Sequence, residues 1–124
     1  MPTVLVAEDD PDIRALVVLK LEQAGFDVRA YGDGLSALAA AQGNPPDVAV
    51  LDVEMPGMSG TDVCRMLRTN DDTRDMAIIL LTGLVRETDI MRGLAAGADD
   101  YVLKPFSPRD LIDRVKVMLD RAIA

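Results

Sequence analysis

The stretch Val48-Ala49-Val50-Leu51-Asp52 sets four consecutive apolar residues directly before a single acid. A strand with one wet face would alternate apolar and polar residues. An unbroken run rich in Val and Leu suits a strand buried on both faces, as in a parallel sheet covered by helices. Three other runs share this character: Val4-Leu5-Val6-Ala7, Ile78-Ile79-Leu80-Leu81 and Tyr101-Val102-Leu103. Asp27 to Tyr31 is a weaker fifth candidate and reads as an edge strand.

Helical patterns lie between the runs. Ile13, Leu16, Val17, Leu21 and Ala24 fall on one face, stopped at Gly25. Leu35, Leu38 and Ala39 begin a second helix that ends near Gly43 and Pro45-Pro46. Ser59 or Thr61 can cap a third, carrying Val63, Met66 and Leu67. Ile90, Met91, Leu94 and Ala95 form a fourth, stopped at Gly97. Ser107-Pro108 opens a fifth, followed by Leu111, Ile112, Val115, Met118, Leu119 and Ala122. Alternation of this kind predicts an α/β fold, a (βα)5 doubly wound parallel five-stranded sheet with right-handed crossovers. At 124 residues, 49% apolar and 27% charged, the chain reads as one domain over 1–124.

Composition removes several chemistries. There is no histidine, which excludes His-based metal sites, Ser-His-Asp triads and phosphohistidine within the chain. Cys64 is the single cysteine, so no internal disulfide or multi-Cys zinc site can form, and it reads as a small core residue. Lys plus Arg is 13 against 21 for Asp plus Glu, a net charge of −8, which argues against direct binding to a nucleic-acid backbone. Met1 to Val6 lacks the basic and apolar regions of a signal peptide, and the longest apolar run, Met76 to Leu81, is far short of the roughly 20 residues that span a bilayer. The expectation is a cytoplasmic chain without membrane association.

The residues that close each apolar run carry the chemistry. The first run ends in Glu8-Asp9-Asp10, the second in Asp52, the third in Thr82-Gly83 and the last in Lys104-Pro105. In a parallel sheet these ends share one edge, where ligands of open α/β sheets bind. Clustered acids raise one another's pKa, and a hard cation such as Mg²⁺ relieves the repulsion. An Asp beside Mg²⁺ and a Lys is a credible nucleophile toward a phosphoryl group. Asp10, before Pro11, is better placed to cap the next helix.

In this arrangement the chain closely resembles the response-regulator receiver domain of two-component signalling. The resemblance covers essentially the whole chain and rests on Val-Ala-Glu-Asp-Asp-Pro at 6–11, Leu-Asp-Val-Glu-Met-Pro-Gly-Met-Ser-Gly at 51–60, Leu-Leu-Thr-Gly at 80–83 and Gly-Ala-Asp-Asp-Tyr-Val-Leu-Lys-Pro-Phe at 97–106. It implies a flavodoxin-like strand order 2-1-3-4-5. It implies that Asp52 is the phosphoacceptor, and that Asp9, Asp52 and the backbone carbonyl of Glu54 ligate Mg²⁺, with Glu8 helping directly or through a water. It implies that Thr82 and Lys104 contact the phosphoryl group, that Tyr101 is the aromatic switch, and that the Lys104-Pro105 peptide is cis. Glu54 and Leu84 stand where the family tunes the lifetime of the acyl phosphate. The donor would be a sensor histidine kinase or a phosphotransfer protein, and the output an effector domain or target protein.

The last third further resembles receivers of the winged-helix transcription-factor class, which dimerise through the fourth helix, fifth strand and fifth helix. Asp99 with Lys116 and Asp100 with Arg114 match two of the intersubunit ion pairs; a third would need a base at Ile90, opposite Asp110. Competing readings are a receiver-like interaction module that takes no phosphate, and a Mg²⁺-dependent phosphohydrolase. The latter would carry a second Asp where Glu54 stands. No Gly-rich phosphate loop succeeds the first run, which counts against a nucleotide-binding module.

Overall fold

A computed structural model describes residues 1–84 and 86–123, the side chains of Ala122 and Ile123 excepted. Strands and helices alternate throughout: β1 (Thr3–Ala7), α1 (Pro11–Gln23), β2 (Asp27–Tyr31), α2 (Gly34–Gly43), β3 (Val48–Asp52), α3 (Gly60–Thr69), β4 (Ala77–Thr82), α4 (Glu87–Ala95), β5 (Asp100–Leu103) and α5 (Pro108–Ile123). The strands form one parallel sheet in the order β2-β1-β3-β4-β5, as expected. None of the described helices is long and apolar enough to cross a membrane.

Three of the four unbroken apolar runs are the central strands β1, β3 and β4. The fourth, Tyr101 to Leu103, departs from the expectation of a strand buried on both faces, because β5 lies at the sheet edge and only Val102 in it is buried. β3 is buried along its full length. Because side chains alternate across a strand, each run feeds two cores. Leu5, Ala49, Leu51, Ile78 and Leu80 pack with Ala37, Leu38, Val63, Cys64 and Leu67 of α2 and α3. Val4, Val6, Val50, Ile79, Leu81 and Val102 pack with Val17, Leu21, Leu111, Val115 and Met118 of α1 and α5. Each Val, Leu, Ile or Met among them contributes roughly 1.5–3 kcal/mol by leaving water. β2 lies at one edge with partly exposed residues, in keeping with its mixed composition.

The helices form where the capping signals place them. Asp10 Oδ1 accepts from the backbone N–H groups of Asp12 and Ile13, and Ser59 caps α3 through Asp62 N–H. Gly25 and Gly97 take positive φ just past α1 and α4, the stops read from the sequence. The burial of individual apolar helix residues departs from the expectation. Leu16, Leu35, Met66, Met91 and Leu94 are exposed rather than core. In α1 the apolar residues run round much of the helix, so period alone does not choose the buried pair, Val17 and Leu21. In α4 the buried contact is Gly93, which lets the helix backbone approach Leu80 and Tyr101 closely.

Register brings the strand ends level. Val53 N–H reaches Leu81 O at 2.8 Å and Lys104 N–H reaches Thr82 O at 2.7 Å, which extends β3 and β5 against β4 by one residue. Glu8, Asp52, Thr82 and Lys104 therefore share the carboxyl edge of the sheet. Strand order reverses there between β1 and β3, which opens a crevice.

Candidate functional site

The crevice is floored by two buried acids. Glu8 comes directly after β1, Asp52 ends β3, and each is 1% exposed. Glu8 is pinned through its backbone: its N–H donates to Tyr31 O, and its carbonyl accepts from Arg14 Nη1 at 2.9 Å. The chain beyond Asp52 turns at Gly57, which takes a positive φ, and returns so that Gly60 N–H meets Val53 O. At Gly60 even a methyl group would collide with the carbonyl oxygen of Asp52, so the start of α3 sits tight beneath β3.

Ligand-competent oxygens of Glu8, Asp9 and Asp52 lie within 4.8 Å of one another. Asp9 is exposed, so the cluster opens to solvent on that side. The ammonium of Lys104, delivered by the end of β5, lies 3.1 Å from both Glu8 Oε2 and Asp52 Oδ1. The Lys104-Pro105 peptide is cis. Asp52 Oδ1 also accepts from Glu54 N–H at 3.3 Å, whereas Oδ2 takes no hydrogen bond among the described residues. Burial, with the nearby charge of Glu8, pushes the Asp52 carboxyl up to about 8 despite the opposing pull of Lys104. For Lys104 burial acts downward, but the hydrogen bond to Glu8 and the charge of Asp52 outweigh it and raise its pKa. The site thus holds more acid than its one ammonium can balance, and its all-oxygen donor set suits a hard divalent cation.

On the other flank, fully buried Thr82 ends β4. Its hydroxyl donates to Glu54 Oε1 at 2.5 Å and accepts from Leu84 N–H at 2.9 Å. The same Glu54 oxygen accepts from Gly83 N–H at 3.1 Å. Burial raises the Glu54 carboxyl, but the hydrogen bond from Thr82 and further donors outweigh it and lower its pKa. Tyr101 on β5 is half-buried and donates its hydroxyl to Leu84 O at 3.2 Å. Glu8, Asp9, Asp52, Thr82 and Lys104 are therefore brought together as expected, with Tyr101 and Leu84 attached through Thr82. Asp10 serves the helix cap. The grip of Arg14 on Glu8 and of Glu54 on Thr82 has no sequence signature, since no local pattern fixes the first and 28 residues separate the second pair.

Three of the four expected interface charges, Asp99, Asp100 and Arg114, are engaged within the chain. Arg114 holds Asp100 at 2.8 Å and Asp110 at 3.1 Å. Asp99 accepts from Arg68 at 3.0 Å and from Ile78 N–H at 2.8 Å, and no acid pairs with Lys116 among the described residues. Cys64 is buried with Sγ against Ala96 O, and burial pushes its thiol up to about 11.

Residues 4–116 match the family described as the response regulator receiver domain. The chain is 42% identical over 118 residues to the DNA-binding response regulator MtrA of Mycolicibacterium smegmatis, covering 95% of this chain and 50% of that protein. It is 43% identical over 122 residues to the phosphate regulon transcriptional regulatory protein PhoB of Rhizobium meliloti, covering 98% and 54%. It spans about half the length of these curated relatives. Among solved structures, the chemotaxis protein CheY4 of Vibrio cholerae superposes with a TM-score of 0.91 at 34% identity, covering 96% of this chain and 99% of that one. The response regulator DrrB, a Thermotoga maritima OmpR/PhoB homologue, superposes with a TM-score of 0.87 at 38% identity, covering 98% and 54%. Four strand ends meeting in one acidic crevice, on this strand order and across this length of match, leave one assignment: the chain belongs to the response regulator receiver domain family.

Proposed function

We propose that this chain is a phosphorylation-dependent signalling switch in which Asp52 is the phosphoacceptor. The observation that carries the reading is the meeting of Asp52, Glu8, Thr82 and Lys104 in one buried crevice, each from a different strand end. Asp52 Oδ2, free of protein hydrogen bonds among the described residues, attacks the phosphorus of the donor. A P–O bond forms as the P–N bond of a phosphohistidine breaks, and the imidazole nitrogen keeps the electron pair. Lys104, already 3.1 Å from Asp52, offsets charge on the phosphoryl oxygens. The Thr82 hydroxyl and Gly83 N–H are donors on the opposite flank.

Glu8, Asp9 and Asp52, with the backbone carbonyl of Glu54, would hold Mg²⁺. When bound, the ion supplies positive charge that balances the acids and the incoming phosphoryl group.

The donor in this reading is a sensor histidine kinase or a phosphotransfer protein in the cytoplasm. Drawing Thr82 toward the phosphoryl group breaks its links to Leu84 and, through it, Tyr101. The change is thereby passed to the face of α4, β5 and α5, where Met91, Leu94, Leu103 and Val117 are exposed. That face would act on an effector domain or target protein, or on a second copy of the chain. Asp100 and Arg114 would then have to exchange their present pairing within the chain for one across the interface. Glu54 and Leu84 flank the approach to Asp52 and tune how long the acyl phosphate lasts. The chain accepts a phosphoryl group and slowly loses it, without turning over a substrate of its own.

Intact mass after incubation with Mg²⁺ and acetyl phosphate tests the reading. Wild type gains one phosphoryl group, while Asp52→Asn and a metal-free sample gain none. Failure of wild type, under conditions that modify another receiver, would favour an interaction module that takes no phosphate.

A further inference from the structure

Two donors that a phosphoryl group on Asp52 would use are already committed. A threonine hydroxyl has one proton, and Thr82 gives it to Glu54 Oε1. A backbone amide has one proton, and Gly83 gives it to the same oxygen at 3.1 Å. The Glu54 carboxylate is thus an internal anion seated where the phosphoryl oxygens would be received. The chain of contacts continues outward. Leu84 N–H donates to Thr82 Oγ1 at 2.9 Å, and Leu84 O accepts from the Tyr101 hydroxyl at 3.2 Å. Glu54 itself is exposed, so it can swing away without disturbing the core.

We propose that Glu54 is a positioning residue that latches the unmodified state. Its carboxylate holds Thr82 and Gly83, and through Leu84 holds Tyr101, and it must release both donors before a phosphoryl group on Asp52 can take them. The proposal rests on Asp52 being the phosphoacceptor. It differs from tuning the access of water, because it acts on formation of the acyl phosphate, before there is anything to hydrolyse. It also differs from simple charge repulsion of the incoming phosphate, because it requires the carboxylate to reach Thr82.

Glu54→Asp separates these possibilities: it keeps the charge but is one methylene too short to span the same gap. The growth of the phosphoryl adduct with acetyl phosphate and Mg²⁺ is measured by intact mass in wild type, Glu54→Asp and Glu54→Ala. The backbone ¹⁵N–¹H signals of Gly83 and Leu84 are recorded in the unmodified proteins. Two charge-assisted hydrogen bonds, partly replaced by water, correspond to an expected rise in rate of about tenfold in both variants. The Gly83 amide signal should move in both, showing loss of its acceptor without any phosphate present. If Glu54→Asp keeps the wild-type rate while Glu54→Ala is fast, charge alone is at work and the latch is overturned. Unchanged rates or an unmoved Gly83 signal overturn it equally, with the phosphoacceptor reading intact. Absence of an adduct in wild type and variants alike overturns that reading and the latch together.

Discussion

Replacing Asp52 with Asn should stabilise the metal-free protein, although it removes the central residue of the site. The Asp52 carboxyl is pushed up from an ordinary 3.8 to about 8, first by burial and then by the charge of Glu8. Between these two values the unfolded chain has lost its proton while the folded chain keeps it. The folded state therefore binds more protons, and stability falls as pH rises through this window. A shift of a little over four units corresponds at most to ~6 kcal/mol, at about 1.36 kcal/mol per unit. The gain in Asp52→Asn should be smaller, about 2–3 kcal/mol at pH 8, because Lys104 loses one of its two carboxylate partners. Urea denaturation in chelator from pH 4 to pH 9 measures this. The two proteins should be nearly equal near pH 4 and diverge progressively up to pH 8. Mg²⁺ should close the gap by stabilising wild type alone. Parallel pH profiles for the two proteins would refute the reasoning, since Asp52 would then carry no strained charge.

Two further predictions concern the frame around the site. Arg68 donates to the carbonyls of Gly97, Arg74 and Met76 and to Asp99, tying the end of α3 to the start of β4 and the loop before β5; Arg68→Ala should cost about 2–4 kcal/mol in urea denaturation, with part-buried carbonyls left unpaired. Gly60→Ala places a methyl group against the Asp52 carbonyl and should destabilise by about 1–3 kcal/mol while slowing adduct formation, whereas Gly43→Ala, where nothing lies near the added carbon, should do neither.

The sheet was legible because both signals behind it are local. Val48 to Leu51 is unbroken and apolar, and Asp52 ends it. Parallel strands then bring every such end to one edge, so Glu8, Asp52, Thr82 and Lys104 could be grouped from the sequence alone. The helix ends at Gly25, Gly97 and Ser59 were readable for the same reason, since caps are set by residues within a turn. Side-chain detail was not. Met91 and Leu94 repeat at helical spacing, yet they face solvent because α4 docks through Gly93. Asp99 suits an intersubunit pair by its position, yet Arg68, 31 residues away in the chain, claims it. Glu54 could be placed near the site but not on Thr82, because that bond depends on how the loop from Val53 to Gly60 folds back.

The switch stands or falls on whether Asp52 itself takes the phosphoryl group. The direct measurement is to incubate the protein with acetyl phosphate and Mg²⁺, reduce it with borohydride, digest it and sequence the peptides by mass spectrometry. Reduction converts an aspartyl phosphate to homoserine and leaves free aspartate unchanged. Homoserine is expected at position 52 alone, dependent on Mg²⁺. Homoserine at another acid, such as Asp9 or Asp10, or at none, would contradict it.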